Sequence, residues 1–381
     1  MGRRGIADVP KRRRIREAEP LIWMPNDKER IVHIDALRGL AVLLMVMVHA
    51  AATWNPYSST QTSPLAYLVS GLGGLAAPLF ITLLGWGLLR SKLTRRQRLI
   101  RAGFLLACQF LVNVVSPHLF EPFTPGVLSL MALLILTEPV WTYPLRHKRL
   151  SPQIYFLSIF AAVLTLTFLV PELQGSSTWK ARITTNSMTV FTGHLVVTGT
   201  YPLHPWILFA AFGATIAALP QGEHRRPAIA FVALGLTYSG LLLMHAWQNE
   251  LAWALPSGQA LLTFFPANGP FMIASLTGVI LLWGVVSTRL EVEWLALTGR
   301  CSLTLYVLHF LPFAFLHELD ERYTWSLTAS MLVTLSYTLL WGLVAAQWYK
   351  RHPSKNLESL MRSIEQELKK RHQPHEELVE E

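Results

Sequence analysis

Long runs of hydrophobic residues alternate along the chain with short polar or basic segments. A membrane-spanning helix needs about 20 mostly apolar residues, because each residue adds about 1.5 Å and the hydrocarbon layer is about 30 Å thick. Ten runs meet this requirement, at about 34–54, 66–90, 100–117, 126–145, 152–171, 203–220, 227–246, 270–288, 295–317 and 326–349. The pattern therefore predicts an all-α fold, a polytopic integral membrane helical bundle of about ten transmembrane helices.

Basic residues are divided unequally between the two sets of connections that join these runs. We number the connections along the chain from the end of the first run. The odd-numbered connections carry only Lys180, Arg182 and Arg322. The even-numbered connections carry many more basic residues: Arg90, Lys92, Arg95, Arg96, Arg98, Arg101, Arg146, Lys148, Arg149, Arg225, Arg226 and Arg289. Cytoplasmic loops of membrane proteins are enriched in Lys and Arg. We therefore expect an even number of spans in the plasma (inner) membrane, with both the N and C termini in the cytoplasm.

The composition agrees with a membrane protein and excludes other classes. Of the 381 residues, 52% are hydrophobic and 15% are charged, whereas soluble chains average about 25% charged residues. The net charge is +10, and most basic residues lie in short loops and in the first thirty residues. This distribution favours contact with an anionic lipid bilayer and argues against binding to nucleic acid. Two cysteines, Cys108 and Cys301, cannot form a zinc site alone, and no metal is expected.

Three parts are predicted along the chain. Residues 1–32 form a basic cytoplasmic arm that is expected to be largely disordered, 33–350 form the membrane domain, and 351–381 contain a cytoplasmic amphipathic tail helix. A long polar loop is predicted at about 172–202. The loop near 246–269 carries Trp247 and Trp253, which favour either an aromatic belt at the interface or a platform on which a sugar ring stacks.

The first run contains the most informative polar residues, Asp35, Arg38 and His49. Over eleven residues, an α-helix rises about 16 Å and its rotation about the axis comes close to a whole number of turns. Arg38 and His49 therefore lie on the same face of the helix. This places a cation at one membrane surface and a titratable base near the other. Such an arrangement suits a carrier thioester such as acetyl-CoA, with its phosphates at cytoplasmic arginines and its thioester near His49. The histidine would then be a general base or an acyl carrier; the alternative is an interfacial side chain without a catalytic role.

An arginine and a histidine separated by ten residues resemble the signature of the transmembrane acyltransferase superfamily. That superfamily includes acyltransferase family three, which modifies sugars of O-antigens and similar glycans, and the heparan-α-glucosaminide N-acetyltransferase type. The chain is similar in more places to the second type, in its bacterial form. The similar segments are 74–80 with Gly85, 126–130, 201–206 and 299–309, and the likeness covers roughly residues 33–350.

The resemblance implies an acyl-transfer role for His49 and gives Arg38 the role of the family's arginine. We expect Arg38, with help from Arg300, to hold the coenzyme phosphates, and Asp35 to support the site. The sequence departs from the heparan-acetylating enzymes in one respect. Those enzymes place their catalytic histidine in the loop after the first span, and the corresponding loop here, 53–65, contains no histidine. Heparan is therefore not the expected acceptor, and His49 is the expected base.

Two further polar residues lie inside predicted spans. Glu138 is an intramembrane carboxylate, which is a functional candidate because burying it unpaired is costly; its neighbour Pro139 makes a structural role at a kink equally plausible. Asn113 lies four residues after Gln109 on the same helix face. These two amides either line a polar path or form hydrogen bonds between helices.

Three more candidates complete the predicted site. Arg300 near the start of the ninth span suits a coenzyme phosphate, or its side chain extends to the interface. His309 lies in the middle of that span, where it either forms a hydrogen bond to another helix or polarises the substrate. His118 and Glu121 form a possible pair in an outer loop.

The leading hypothesis is a membrane acyltransferase that uses acyl-CoA, with acetyl as the expected acyl group. It would acylate an amine or hydroxyl of a sugar-containing acceptor, a glycan or glycolipid, at the outer face. The alternative is a transporter or permease-like protein of the same fold without acyl transfer. A homo-oligomer is compatible with either hypothesis.

Overall fold

The computed structural model describes residues 31–54, 64–220, 225–289 and 292–370, and these are predominantly helical. The α-helices are α1 (Val32–Thr53), α2 (Pro64–Gly73), α3 (Ala76–Arg90), α4 (Arg95–Val115), α5 (Val127–Trp141), α6 (Tyr143–Arg146), α7 (Pro152–Leu169), α8 (Trp179–Ile183), α9 (Met188–Gly193), α10 (Leu203–Ala218), α11 (Arg225–Gln248), α12 (Gly269–Arg289), α13 (Glu293–Arg300), α14 (Ser302–Leu308), α15 (Phe313–Leu316), α16 (Leu319–Arg322), α17 (Leu327–Arg351) and α18 (Leu357–Lys370). The basic arm predicted at 1–32 lies, except for its last two residues, outside the described residues.

Eight helical segments in the described part of the chain are long and apolar enough to cross a membrane. A further segment is broken: Met188–Thr198 and Leu203–Ala218 are bent by 49° at a short interruption, and the apolar helix Val127–Trp141 is shorter. Together these segments correspond to the ten hydrophobic runs. The prediction of an all-α polytopic membrane protein is confirmed, and the orientation of the termini stays a prediction.

Local sequence explains where several spans begin. Thr94 and Gln97 form a reciprocal capping box at the start of α4, and the hydroxyl of Ser151 accepts a hydrogen bond from the Ile154 amide at the start of α7. Ser326 caps α17 in the same way. Such side chains satisfy amide groups that have no partner inside the first helical turn.

Helix α1 lies at the centre of the bundle. It is the most enclosed of the candidate spans, with 61% of its apolar window buried, and it packs against α3, α13 and α17. Close approach to α13 depends on glycine, because a Cβ at Gly39 would overlap the Leu295 carbonyl and a Cβ at Gly299 would overlap the Asp35 carbonyl. Small residues commonly permit such close helix contacts in membranes.

The outer helices expose apolar surface. Only 6% of the window in α11 and 17% of that in α7 are buried, and Leu234 and Trp247 on α11 are among the most exposed side chains. Outward-facing apolar side chains suit contact with lipid, because lipid tails are as apolar as the side chains themselves. The hydrophobic periphery therefore agrees with an integral membrane protein.

We call the end of the bundle at which α1 begins the basic end, because it holds three groups of ion pairs that involve Arg38, Arg98, Arg101, Arg146 and Arg300. The tail helix α18 docks at this end through its half-buried Glu358. The Glu358 carboxylate accepts hydrogen bonds from the Leu303 amide at 2.6 Å and the Thr304 hydroxyl at 2.7 Å. The basic end is therefore closed in part by the tail.

Several segments differ from the sequence-based expectation. The ninth run, predicted at 295–317, is interrupted between Arg300 and Ser302, and the apolar segment that follows extends over Ser302–Arg322. Helix α13 packs closely against α1 at the glycine contact, and α14 begins as a separate helix at Ser302. The predicted polar loop at 172–202 contains a 3₁₀-helix at Pro171–Gln174, α8, α9 and a π-helix at His194–Thr198.

The loop near 246–269 contains two short strands, β1 (Ala254–Ser257) and β2 (Leu262–Phe265). They pair in parallel, with Ala254 opposite Leu262. Their four-residue length gave no alternating pattern strong enough to predict them from sequence.

Candidate functional site

Two histidines from distant parts of the chain form a buried pair. His49 Nδ1 lies 2.9 Å from His309 Nε2, and the two rings are nearly parallel, with an interplanar angle of 5° and centroids 5.1 Å apart. Tyr306 and Phe310 pack against His49. Sequence analysis proposed these histidines separately, and the structure brings them together.

The pair is held by helices on both sides. His49 lies near the end of α1, and His309 follows the last residue of α14. The Tyr337 hydroxyl of α17 donates a hydrogen bond to the His309 carbonyl at 2.6 Å. Beyond His49, the Trp54 indole donates to the Leu316 carbonyl at 2.7 Å, which fixes the end of α1 to the chain that follows His309.

A second polar cluster lies at the basic end around Asp35. The Asp35 carboxylate is 3.4 Å from Arg38 Nη1 and 3.2 Å from Arg300 Nε. The Arg300 guanidinium also lies over the ring of Tyr349, 5.8 Å from its centroid. Asp35 is almost fully buried, whereas 38% of the Arg38 side chain is exposed. The carboxylate thus joins two arginines that sequence analysis had proposed independently for phosphate.

Both clusters are attached to the same central helix. Asp35 and Arg38 lie in the first two turns of α1 and His49 in its last two. Arg38 and His49 are therefore separated by about 16 Å along the helix axis. The site consists of a cationic end and an imidazole end, both built on α1.

Glu138 belongs to a different cluster at the basic end. Its Oε1 accepts hydrogen bonds from Arg146 Nη2 at 2.5 Å and from the Thr142 hydroxyl at 3.0 Å, and Oε2 lies 3.4 Å from Arg98 Nη1. Arg146 also donates to the carbonyls of Leu88 and Ser91. The carboxylate is therefore paired, and its contacts join α5 to α4 and α3.

Asn113 and Gln109 form a network that closes the connection between α4 and α5. Gln109 Nε2 donates to Asn113 Oδ1 at 2.8 Å, and Asn113 Nδ2 donates to the Thr124 carbonyl at 2.8 Å. Gln109 Oε1 accepts from the Leu128 amide in the first turn of α5. These contacts match the hydrogen-bonding alternative of the two predictions and give Asn113 a structural environment.

His118 and Glu121 have separate partners. The His118 ring stacks on His317, with centroids 4.8 Å apart, and its Nε2 lies 3.4 Å from the Thr53 hydroxyl. Burial lowers the pKa of His118 to about 4, and the neighbouring His317 makes a smaller contribution in the same direction. Glu121 instead lies 3.1 Å from Lys180, so the predicted His118–Glu121 pair is not formed.

The clusters lie within a recognisable domain. A family model described as an acyltransferase domain, acyltransferase family three, matches residues 31–347. The chain belongs to acyltransferase family three. Comparison with curated proteins gave no significant match. The matched region contains α1 and α14 with both histidines, and the predicted acyltransferase class is confirmed at the level of the family. The closer likeness to the heparan-α-glucosaminide type stays a prediction.

This family-three chain uses residues that sequence analysis did not propose. Tyr337 anchors the backbone of His309, but a tyrosine inside an apolar run carries no signal of its partner. Glu358 in the tail caps the start of α14, which has no capping side chain of its own. Within the described ranges, no group of three or more His, Cys, Asp and Glu side chains is arranged to hold a metal ion.

Proposed function

We propose that this family-three protein transfers an acyl group, with acetyl as the expected one, from acyl-CoA to a sugar-containing acceptor. The acceptor would be a glycan or glycolipid with a free hydroxyl or amine. The observation that carries this proposal is the buried imidazole of His49 on the central helix, at the opposite end from the two arginines at Asp35. Both lie within the residues that the acyltransferase family-three model matches.

The arginine cluster suits the donor because CoA carries several phosphate charges. Guanidinium groups bind phosphate oxygens with two parallel hydrogen bonds. Asp35 forms ion pairs with both Arg38 and Arg300, and the Arg38 side chain is partly exposed. We propose that these two arginines hold the coenzyme phosphates, while the thin pantetheine arm extends along α1 toward His49.

His49 supplies the proton transfer that the reaction requires. Its imidazole removes the proton of the attacking hydroxyl or amine as the oxygen or nitrogen bonds to the thioester carbonyl carbon. The carbon–sulfur bond breaks, and the imidazolium returns the proton to the CoA thiolate. The products are the acylated acceptor and free CoA. A route in which His49 first carries the acyl group itself is the alternative within the same proposal.

We place the donor side at the cytoplasmic face. The basic connections lie at the same end of the bundle as Arg38 and Arg300, the proposed phosphate ligands, and loops rich in Lys and Arg face the cytoplasm. The acceptor side is then the outer face of the plasma membrane. The aromatic rings near that end include Phe120 and Trp179, which lie 6.1 Å apart. Phe120 in turn lies 6.2 Å from Phe310, beside His49.

A transporter without acyl transfer is the second candidate. One observation favours it, the break between Met188–Thr198 and Leu203–Ala218, because transporters commonly build their binding sites at discontinuous helices. The two hypotheses differ in covalent chemistry. Only the acyltransferase forms free CoA in amounts equal to the acylated acceptor.

The experiment uses the full chain in lipid nanodiscs, radiolabelled acetyl-CoA and a panel of glycans and glycolipids. We expect acyl transfer by the native protein and a loss of about 10²- to 10⁴-fold in His49→Gln, which is the usual contribution of a general base. The matched control is His245→Gln, because His245 is exposed on α11. Thermal unfolding of both variants checks that the fold is intact.

Turnover of a correctly folded His49→Gln protein within threefold of the native rate would refute the mechanism. Transport of an acceptor without formation of free CoA would favour the second candidate. Proteoliposomes with acetyl-CoA outside and acceptor only inside test the direction, since product inside requires the acyl group to cross the bilayer.

A further inference from the structure

We infer that His309 is a positioning residue that fixes which nitrogen of His49 acts as the base. The inference rests on the proposed role of His49 and adds to it a specific arrangement of protons. It follows from three groups in a row: the Leu305 carbonyl, the His309 ring and the His49 ring.

The first step is set by the backbone of α14. His309 Nδ1 lies 3.1 Å from the Leu305 carbonyl oxygen. A carbonyl oxygen can only accept a hydrogen bond, so Nδ1 of His309 must carry the hydrogen. In a neutral imidazole, one nitrogen is protonated and the other has a lone pair. His309 Nε2 is therefore the nitrogen with the lone pair.

In the second step, the position of the hydrogen on His309 determines which nitrogen of His49 carries a hydrogen. His309 Nε2 lies 2.9 Å from His49 Nδ1, and because Nε2 accepts, His49 Nδ1 must donate. The remaining nitrogen, His49 Nε2, then has the lone pair and is the one that can remove a proton. The hydrogen bond made by one ring nitrogen commonly determines the state of the other.

The surroundings favour the neutral form of both rings. His309 is fully buried and His49 is 9% exposed, and their ring neighbours are Tyr306, Phe310 and Phe313. Over the described stretches, no carboxylate forms a hydrogen bond with either imidazole. A buried charge without a counter-charge is costly, so the pair holds its protons in the order just derived.

The backbone of His309 is also fixed from α17. The Tyr337 hydroxyl donates to the His309 carbonyl, and the Tyr337 ring stacks on Phe313 with centroids 5.1 Å apart. His309 is therefore held in the position from which its ring orients His49. In this arrangement it has the position that a carboxylate occupies behind the histidine of a hydrolase triad, but it remains uncharged.

The test compares two substitutions of His309 that differ in one property. Glutamine offers a carbonyl oxygen near the position of Nε2 and can accept from His49 Nδ1, whereas methionine fills similar space without a strong acceptor. We expect His309→Gln to retain kcat within about tenfold and His309→Met to lose about 10²- to 10⁴-fold in kcat, as when a triad histidine adopts the wrong tautomer. The KM for acyl-CoA should change little in either variant.

The tautomer itself is measured by nitrogen-15 NMR of protein with labelled histidine, and the His49 signals are those that disappear in His49→Gln. We expect hydrogen on Nδ1 of His49 in the native protein and in His309→Gln. In His309→Met we expect it to move to Nε2, the form that free neutral histidine prefers. His317→Met is the matched control, because His317 stacks on His118 outside the pair.

An unchanged His49 tautomer in His309→Met would overturn the inference, as would equal losses of kcat in the glutamine and methionine variants when both are folded. The NMR result does not depend on acyl transfer. A failure of the proposed function would appear as normal turnover in His49→Gln, so the two failures are distinguishable.

Discussion

The contact between α1 and α13 predicts a specific sensitivity at Gly299. A Cβ added there would overlap the Asp35 carbonyl and would lie 2.7 Å from the Gly39 amide nitrogen, where ordinary contact begins at 3.4 Å. Relieving the Gly39 contact alone takes about 0.7 Å, and the Asp35 carbonyl oxygen would be closer still, so the two helices would have to separate by more than this. Both contacts are to backbone atoms that cannot rotate away. Gly299→Ala is therefore an overpacking mutation at the centre of the bundle.

The same displacement reaches the arginine cluster. Arg300 follows Gly299 directly, and its Nε lies 3.2 Å from Asp35. A separation of about 0.7 Å lengthens this contact beyond the range of a hydrogen bond. Overpacking typically costs about 1–3 kcal/mol, so we expect a lower Tm for Gly299→Ala and also a higher KM for acyl-CoA.

A thiol-reactive dye measures this unfolding, because Cys108 and Cys301 are both buried in the folded protein. Gly240→Ala on α11 is the matched control, since a Cβ at Gly240 meets nothing within 4 Å. Alanine in place of an unconstrained helical glycine is expected to be neutral or stabilising by up to about 1 kcal/mol. Equal Tm values for the Gly299 and Gly240 variants would refute the argument that this crossing is tightly packed.

Two predictions concern the docking of α18. Burial raises the pKa of the Glu358 carboxyl above its ordinary value of 4.5. The carboxyl of the docked tail therefore binds its proton more tightly than that of the released tail. Docking should weaken as the pH rises from 4.5 through the raised pKa. Limited proteolysis of the tail between about pH 4 and 8 should show this trend in the native protein and not in Glu358→Gln; a trend in both would contradict it. Arg101 Nε lies 2.5 Å from Glu365 Oε1, and Arg101→Met should weaken docking by up to about 1 kcal/mol. The exchanged pair Arg101→Glu with Glu365→Arg should restore resistance to proteolysis, and failure of the exchange would count against the ion pair.

The sequence was informative where one property repeats over many residues. The ten hydrophobic runs predict the helical membrane fold, because a span is set by length and hydropathy with little dependence on its neighbours. The spacing of Arg38 and His49 likewise follows from helix geometry alone. Both predictions use only local information.

The partners of the candidate residues could not be predicted in this way. His49 and His309 are 260 positions apart, and a single sequence contains no signal that joins them. Glu138 is a conspicuous acid in an apolar run, yet its partners Arg98 and Arg146 lie in two different connections. The break after Arg300 was also missed, because the apolar run in the sequence continues across it.

That break explains how one short stretch serves both ends of the site. Asp35 and His49 are fourteen residues apart, about 21 Å along α1, while Arg300 and His309 are nine residues apart, about 13 Å even in continuous helix. The extended Arg300 side chain reaches Asp35, and α14 begins anew at Ser302 under the cap provided by Glu358. Arg300 is thereby fixed by α13 and His309 by α14, each against its own partner on α1. Because the tail caps α14 but not α13, loosening α18 should disturb the histidine pair more than the arginine cluster.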